Sequence, residues 1–366
     1  MKIIGPIAGI GSRLRPFTLN KPKAFLTVAG KTVLAHILEK FVDTFDSKVE
    51  LILVVGYKKR QIINYLKEQE YDKHFKLTFI EQVPRGYKEH IPYYWGLGEA
   101  VYLAHERFKD SKIIIPEDNK REGAIIFLGD MIPLEDYSYL LYKYYQSDND
   151  GIITVMKVPK EDASSYGVVD VDDNNIIQKL VEKPKEFVSD LAIAGIYVFS
   201  NETIQALFKN IKKYLDQRND DGKEVYLTES LQDLVNQGYK IEAVELKKGI
   251  LDFGRPSEVL NGNKVLIENF STNRKDFSQL NIYFEKSWVK NPVFIGKNTR
   301  IINSVVGPYV SIGDGSHITN SIICNCVIEK NARLNNIITD NSIFGSNVVI
   351  DGIIKDNLII GDKSVY

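Results

Sequence analysis

The chain has 366 residues, enough for two or three domains and for burying most of its apolar surface. Lysine plus arginine (47) nearly balances aspartate plus glutamate (48), which argues against a nucleic acid or an anionic membrane as the main partner. The two cysteines, Cys324 and Cys326, are too few for a disulfide framework or a four-ligand zinc site. With no apolar run near eighteen residues, the expectation is a soluble, cytoplasmic protein.

The chain opens on a short apolar run, Lys2 to Gly5, followed by IAGIGSRLRPFTLNKPK from Ile7 to Lys23. Gly9 and Gly11 let backbone N–H groups approach an anion, since no Cβ intervenes, and Arg13, Arg15 and Lys23 add cations suited to phosphate oxygens. The dinucleotide fingerprint fails at Leu14 and the Walker A pattern fails at Phe25.

Downstream, Thr32 to Phe41 has helical spacing. Glu50 to Val55 reads as a strand, Arg60 to Lys67 as a helix and Leu77 to Glu81 as another strand, the alternation of a parallel sheet covered by helices. Gln82 follows that strand's carboxyl end, where ligands sit in doubly wound sheets. Its amide can read a base edge, or it can be a solvated loop residue. Residues 84–95 are long and aromatic, suited to covering a base or to an oligomer contact. Gly96 and Gly98 then open a helix predicted over Val101 to Phe108. Gly123 to Leu128 is the central strand, and Asp130 just beyond it suits Mg²⁺, which takes one or two carboxylates beside substrate phosphates. Asp252, in Leu251-Asp252-Phe253-Gly254-Arg255-Pro256, reads by itself as a turn aspartate or as a second ligand.

Tyr166-Gly167 starts a strand, 172–175 makes a hairpin turn, and the return strand ends in Glu182-Lys183-Pro184, a charge pair that alone suggests a solvated face. Another strand carries Gly195, and Ser230 to Gln237 reads as a helix. From Phe294 onward a motif of apolar, Gly or Glu, any, any, small, any begins at Ile295, Ile312, Ile328, Phe344 and Ile360. A period just under eighteen residues marks a solenoid of stacked coils, with both cysteines and His317 read as coil residues rather than ligands or a catalytic base.

The run from Ala8 to Lys23 resembles the signature of the sugar-phosphate nucleotidyltransferases (nucleotide-sugar pyrophosphorylases), with Ser12 for the usual threonine and Ala8 for the first glycine. The segments around Gly96-Leu97-Gly98, Tyr166-Gly167, Glu182-Lys183-Pro184, 190–197 and Asp252-Phe253-Gly254-Arg255-Pro256 resemble that family's further elements. The resemblance implies a Rossmann-like, doubly wound mixed α/β sheet followed by a left-handed parallel β-helix of hexapeptide repeats. It places the catalytic domain at 1–262, a helical and extended connector at 263–290 and the β-helix at 291–366.

The implied substrates are a nucleoside triphosphate and a sugar 1-phosphate, with Mg²⁺ on Asp130 and Asp252. Arg13 and Lys23 would be catalytic; Ala8, Gly9, Gly11, Ser12, Gln82, Gly96 and Gly98 would bind the nucleotide. Gly167, Glu182, Lys183 and Gly195 would bind the sugar phosphate. The text looks most like the longer glucose-1-phosphate thymidylyltransferases, which implies glucose 1-phosphate with dTTP or UTP. Pro22-Lys23 departs from their usual Lys-Gln and keeps mannose-1-phosphate guanylyltransferase as the alternative. A bifunctional acetyltransferase and a non-catalytic paralogue are further alternatives, and a homo-oligomer is expected through the β-helix or the catalytic domain.

Overall fold

A computed structural model describes residues 1–109, 122–218, 223–271 and 281–366. Residues 272–280, inside the expected 263–290 connector, lie outside them. The chain forms two compact units, each discontinuous in sequence: residues 1–9 with 37–250, and residues 10–36 with 251–366.

The first unit is organised by a nine-stranded mixed sheet. Its first strands are β1 (Lys2–Pro6), β2 (Val49–Val55), β3 (Phe75–Glu81) and β4 (Gly123–Phe127), all parallel, with β1 between β2 and β4. The remaining strands are β5 (Gly151–Lys157), β6 (Gly167–Val171), β7 (Ile177–Glu182), β8 (Leu191–Ser200) and β9 (Ile241–Glu245). β8 runs antiparallel to β4, β5 and β6, while β9 runs parallel to β5. The hairpin expected at 172–175 joins β6 to β7, with Asn175 at φ 60°.

The unbroken apolar text of β1, β2 and β4 follows from burial on both faces, the usual condition of parallel strands. On one face Ile4, Ile52 and Ile126 share a core with Val101, Ile204, Leu207 and Leu231. These last come from α1 (Gly96–Tyr102), α2 (Asn201–Asp216) and α3 (Leu227–Asn236). On the other face Phe127 lies 5.4 Å from Phe41, which stacks on Tyr137 at 3.7 Å. The helix predicted over Val101 to Phe108 thus begins earlier, at Gly96, and continues as a 3-10 turn through Leu103–Phe108. The helix predicted from Ser230 likewise begins at Leu227.

In the second unit, the start of the 10–36 segment is three 3-10 turns, Ser12–Leu14, Phe17–Leu19 and Lys23–Phe25. A two-stranded hairpin, Thr27–Val28 with Lys31–Thr32, closes it. The helix α4 (Pro256–Ser271) supplies Asn263, whose Oδ1 accepts from the Ala29 N–H at 2.9 Å.

Beyond it, three stacks of short parallel strands make the β-helix. The five repeat starts stack in register: Ile295 on Ile312, Ile312 on Ile328, Ile328 on Phe344, and Phe344 on Ile360. They share one apolar core with Ile301, Ile318, Leu334 and Ile350 from a second stack. Cys326 is buried in that core and Cys324 is half-buried; burial pushes both thiols up. Among the described residues, no helix is long and apolar enough to cross a membrane.

Candidate functional site

The expected site residues fall in both units, and each set has its own geometry. In the second unit, the turn after Ile10 is made by Gly11 in a left-handed conformation, φ 69°. A Cβ at Gly11 would lie 3.0 Å from Lys23 Cβ, so the glycine turn and Lys23 face each other closely. The Thr18 hydroxyl donates to the Gly11 carbonyl at 2.8 Å and holds the loop closed. Ser12 and Arg13 are exposed on the first 3-10 turn, and Lys23 is half-buried on the third.

Gly254 marks where this loop meets the start of α4. A Cβ there would stand 3.0 Å from Glu258 Oε2, 3.1 Å from Asp252 Oδ1 and 3.5 Å from Arg13 Nη2. Two carboxylates and a guanidinium therefore surround one small residue. Among the described residues, Glu258 Oε2 is buried with no hydrogen-bond partner. A desolvated, unpaired carboxylate oxygen is costly, and a cation beside it removes the cost. Together with Asp252, it forms an oxygen donor set of the kind Mg²⁺ takes. Sequence reasoning missed Glu258; the only signal was an acid in the first turn of a helix opened by Pro256.

In the first unit, Ala8 is buried and Gly9 is exposed beyond β1, with open space where a Cβ would project. Gln82, just past β3, is buried, and its Nε2 donates to Glu99 Oε2 at 2.8 Å and to the Gly96 carbonyl at 3.2 Å. Glu99, only 2% exposed, also accepts from Arg85 Nε at 2.8 Å and from the Trp95 N–H at 3.2 Å. Glu99 is thus the hub that fixes Gln82, and the sequence reading did not single it out.

Residues 84–95 form a hairpin, Gly86–Lys88 with Ile91–Tyr93. At its end Arg85 lies over the Trp95 ring at 3.9 Å, and Arg218 faces the same ring at 5.0 Å. Gly98 is needed for a close approach, because a Cβ there would sit 2.7 Å from the Val225 carbonyl that accepts the Gly98 N–H. Gly96 has φ 90° at the start of the same helix. Asp130 stands three residues past Phe127, which ends β4, and is half-buried.

Three of the four sugar-phosphate candidates, Gly167, Glu182 and Lys183, lie together. Glu182, the last residue of β7, pairs with Gly167 at the start of β6, and a Cβ on Gly167 would meet Glu182 Oε2 at 3.0 Å. The Thr228 hydroxyl donates to that oxygen at 2.7 Å. Lys183 takes a left-handed conformation, φ 43°, and its N–H donates to the Tyr166 carbonyl. Its exposed ammonium lies 3.6 Å from Glu182 Oε1 and 5.5 Å from the centre of the Tyr226 ring. Desolvation, then the Glu182 and Asp233 charges, pushes the Glu229 carboxyl up. Burial, with Glu182 adding to it, pushes the Tyr197 hydroxyl up beyond its ordinary range. Gly195, at φ 72°, is buried against Met131 and Leu128. The result is a carboxylate held by a hydroxyl beside a mobile ammonium, suited to sugar hydroxyls and a phosphate dianion respectively.

A profile described as Nucleotidyl transferase matches residues 7–269. The chain is 33% identical over 275 residues, 75% of its length, to a protein of Methanocaldococcus jannaschii named bifunctional protein GlmU; it spans 56% of that relative. It is 29% identical over 261 residues to the UTP–glucose-1-phosphate uridylyltransferase AglF of Haloferax volcanii, covering 70% of this chain and 93% of AglF. A solved UDP-glucose pyrophosphorylase in complex with UDP-glucose shares the fold at TM-score 0.58 and 19% identity, over 73% of this chain and 98% of that one.

Proposed function

Because this chain belongs to the nucleotidyl transferase family, we propose that it makes a nucleotide sugar and pyrophosphate from a nucleoside triphosphate and a sugar 1-phosphate. An oxygen of the sugar phosphate attacks the α-phosphorus, the bond from that phosphorus to the oxygen bridging the β-phosphate breaks, and pyrophosphate leaves with the electron pair. Such chemistry needs alignment and neutralised charge rather than a protein nucleophile. The observation that carries the reading is the grouping of Arg13, Asp252 and Glu258 around Gly254 beside a glycine turn that faces Lys23.

Arg13 takes the triphosphate and the charge growing on pyrophosphate, and Lys23 neutralises phosphate oxygens. Ala8, Gly9, Gly11, Ser12, Gly96 and Gly98 shape the nucleotide site, where Gln82, oriented by Glu99, reads the base. Glu182 accepts from sugar hydroxyls and Lys183 holds the sugar phosphate, with Gly167 and Gly195 leaving room. Asp130 and Asp252 are the proposed Mg²⁺ ligands; the ion, when bound, polarises the α-phosphate. The substrates proposed are glucose 1-phosphate with dTTP or UTP, supported by the sequence of residues 182–199 and by the activity for which AglF is named. The domain boundaries proposed are 1–262, 263–290 and 291–366; within the second, Tyr283–Glu285 and Trp288–Val289 already pair with strands of the β-helix stacks.

The test is pyrophosphate release with Mg²⁺ across ATP, CTP, GTP, UTP and dTTP against the 1-phosphates of glucose, mannose, galactose and N-acetylglucosamine. Release with glucose 1-phosphate and UTP or dTTP is expected. A blank grid from folded protein refutes the activity, and a signal confined to GTP with mannose 1-phosphate refutes the substrates.

A homo-oligomer through the β-helix is also proposed. Trp288, Val305, Ile322, Ile338 and Ile354 stack on successive coils, all exposed, with Trp288 at 71% and Ile354 at 78%. Strands about 4.8 Å apart make this an uncharged column roughly 19 Å long. A second copy turned by a two-fold axis offers the same flat column in return. Ile322→Lys is expected to lower the mass measured by light scattering at unchanged stability; an unchanged mass with an oligomeric parent rules this face out.

A further inference from the structure

In four of the five coils, the residue after the repeat start is glycine: Gly296, Gly313, Gly345 and Gly361. The third coil has Glu329. The glycines are required, since a Cβ at Gly296 or Gly345 would lie 2.4 Å from an aspartate oxygen of the next coil, and one at Gly313 would lie 2.5 Å from the Lys330 nitrogen. A buried, charged residue at such a position calls for a specific partner. Glu329 is 2% exposed, and its partner is Lys21, itself 9% exposed, from the segment between Arg13 and Lys23.

We infer that Lys21, Glu329 and Asp362 form a clasp by which the β-helix positions the glycine–arginine loop. It rests on the proposal that residues 10–23 hold phosphate. The Lys21 ammonium pairs with Glu329 Oε2 and lies 3.1 Å from Asp362 Oδ1. Each carboxylate is held in turn. Glu329 Oε2 accepts from the Ser346 hydroxyl at 2.8 Å, Glu329 Oε1 from the Thr27 N–H at 3.3 Å, and Asp362 Oδ1 from the Ser346 N–H at 3.0 Å.

The contact is continuous around the loop. Lys21 also stands 5.7 Å from the centre of the Phe17 ring, a Cβ at Gly361 would lie 2.9 Å from Pro16, and Phe294 fills the space beside Gly30. Glu329 thereby grips both Lys21 and Thr27, which flank Lys23 in the chain. The last three coils are part of the phosphate loop's scaffold, and Lys21, whose charge is spent on Glu329 and Asp362, is a positioning residue rather than a phosphate ligand.

The experiment compares full-length Lys21→Met, Glu329→Gln, Asp362→Asn and the double variant Lys21→Met/Glu329→Gln with the parent. It measures deuterium uptake of backbone amides in residues 11–26 and the dissociation constant of inorganic tripolyphosphate. Glu329→Gln and Lys21→Met are expected to raise uptake in 11–26 and to weaken tripolyphosphate by about tenfold each, a coupling of ordinary size for contacting residues. Uptake across 295–323 should not change. The double variant leaves no unpaired ammonium or carboxylate between the two, so it should be no worse than either single change. If a single variant does not fold, the double variant and Asp362→Asn decide.

Unchanged uptake and affinity in folded variants, with only a lower melting temperature, would overturn the positioning role. A parent that binds no tripolyphosphate, while its variants still loosen 11–26, would remove the phosphate reading and leave the clasp standing.

Discussion

The nine-stranded sheet and the β-helix are both built from short apolar strands, but they bury them in different ways. In the sheet, β1 finds its partners in residues 49–55 and 123–127, far along the chain, and helices cover both faces. In the β-helix, each strand pairs with the one 16 or 17 residues on, as Ile312 does with Ile328 and Ile295 with Ile312. One strand is buried throughout, as in the five residues of β4; the other alternates, as in Arg333, Leu334 and Asn335. The first arrangement concentrates chemistry at strand ends where distant segments meet. The second spreads identical contacts along an axis and stabilises them neighbour by neighbour.

The sharpest way to probe this contrast is to alter a strand end of the sheet. Asp130→Asn is expected to lower turnover by about 100- to 1000-fold with the fold intact, since a carboxylate proposed to hold the Mg²⁺ that would neutralise phosphate charge is removed. Near-normal turnover would remove Asp130 from the metal site. Next in size, Ile4→Ala in the middle of the sheet should cost about 3–4 kcal/mol in a urea melt. Ile360→Ala on the last coil should cost less than about 2 kcal/mol, because that coil has a neighbour on one side only. Equal losses would mean that the β-helix unfolds as cooperatively as the sheet.

A smaller effect is expected at Thr228→Val, which keeps the side-chain shape and removes the hydroxyl that Glu182 accepts. KM for the sugar phosphate should rise about tenfold at nearly constant kcat. A change confined to kcat would contradict a binding role for Glu182.

The smallest effect is one of pH. His317 is stacked between Arg300 and Arg333, and desolvation followed by those two charges lowers its pKa from 6.5. Above pH 6.5 the imidazole is neutral whether the coil is folded or not, and its contribution to stability is complete. As pH falls below 6.5, the unfolded chain takes up the proton first and stability declines. The urea midpoint of the β-helix should therefore drop slightly on acidification, and His317→Asn should flatten that slope. An equal slope in the variant would assign it to other groups.

Much of this is legible in the amino-acid sequence. The five repeat starts, the apolar runs of β2 and β4 and the hairpin at 172–175 follow from period, run length and turn chemistry, which are local properties of the text. Glu182 and Gly167 could be named from their motif, and they do meet. Glu99 and Glu258 could not, because a buried acid looks like any surface acid until its partners, Gln82 and Arg85 or the group around Gly254, are placed beside it. The start of the helix at Gly96 was hidden because glycine is a poor helix former, and tertiary contact with Val225 overrides that preference.

The sequence by itself determined the two kinds of strand, the order of elements and the family, since each rests on residue type at short spacing. Only the tertiary structure decided what Lys21 is for. As text, it is one more cation in a basic loop. Its partner lies 308 residues away in sequence, and a buried charge takes its meaning from what neutralises it.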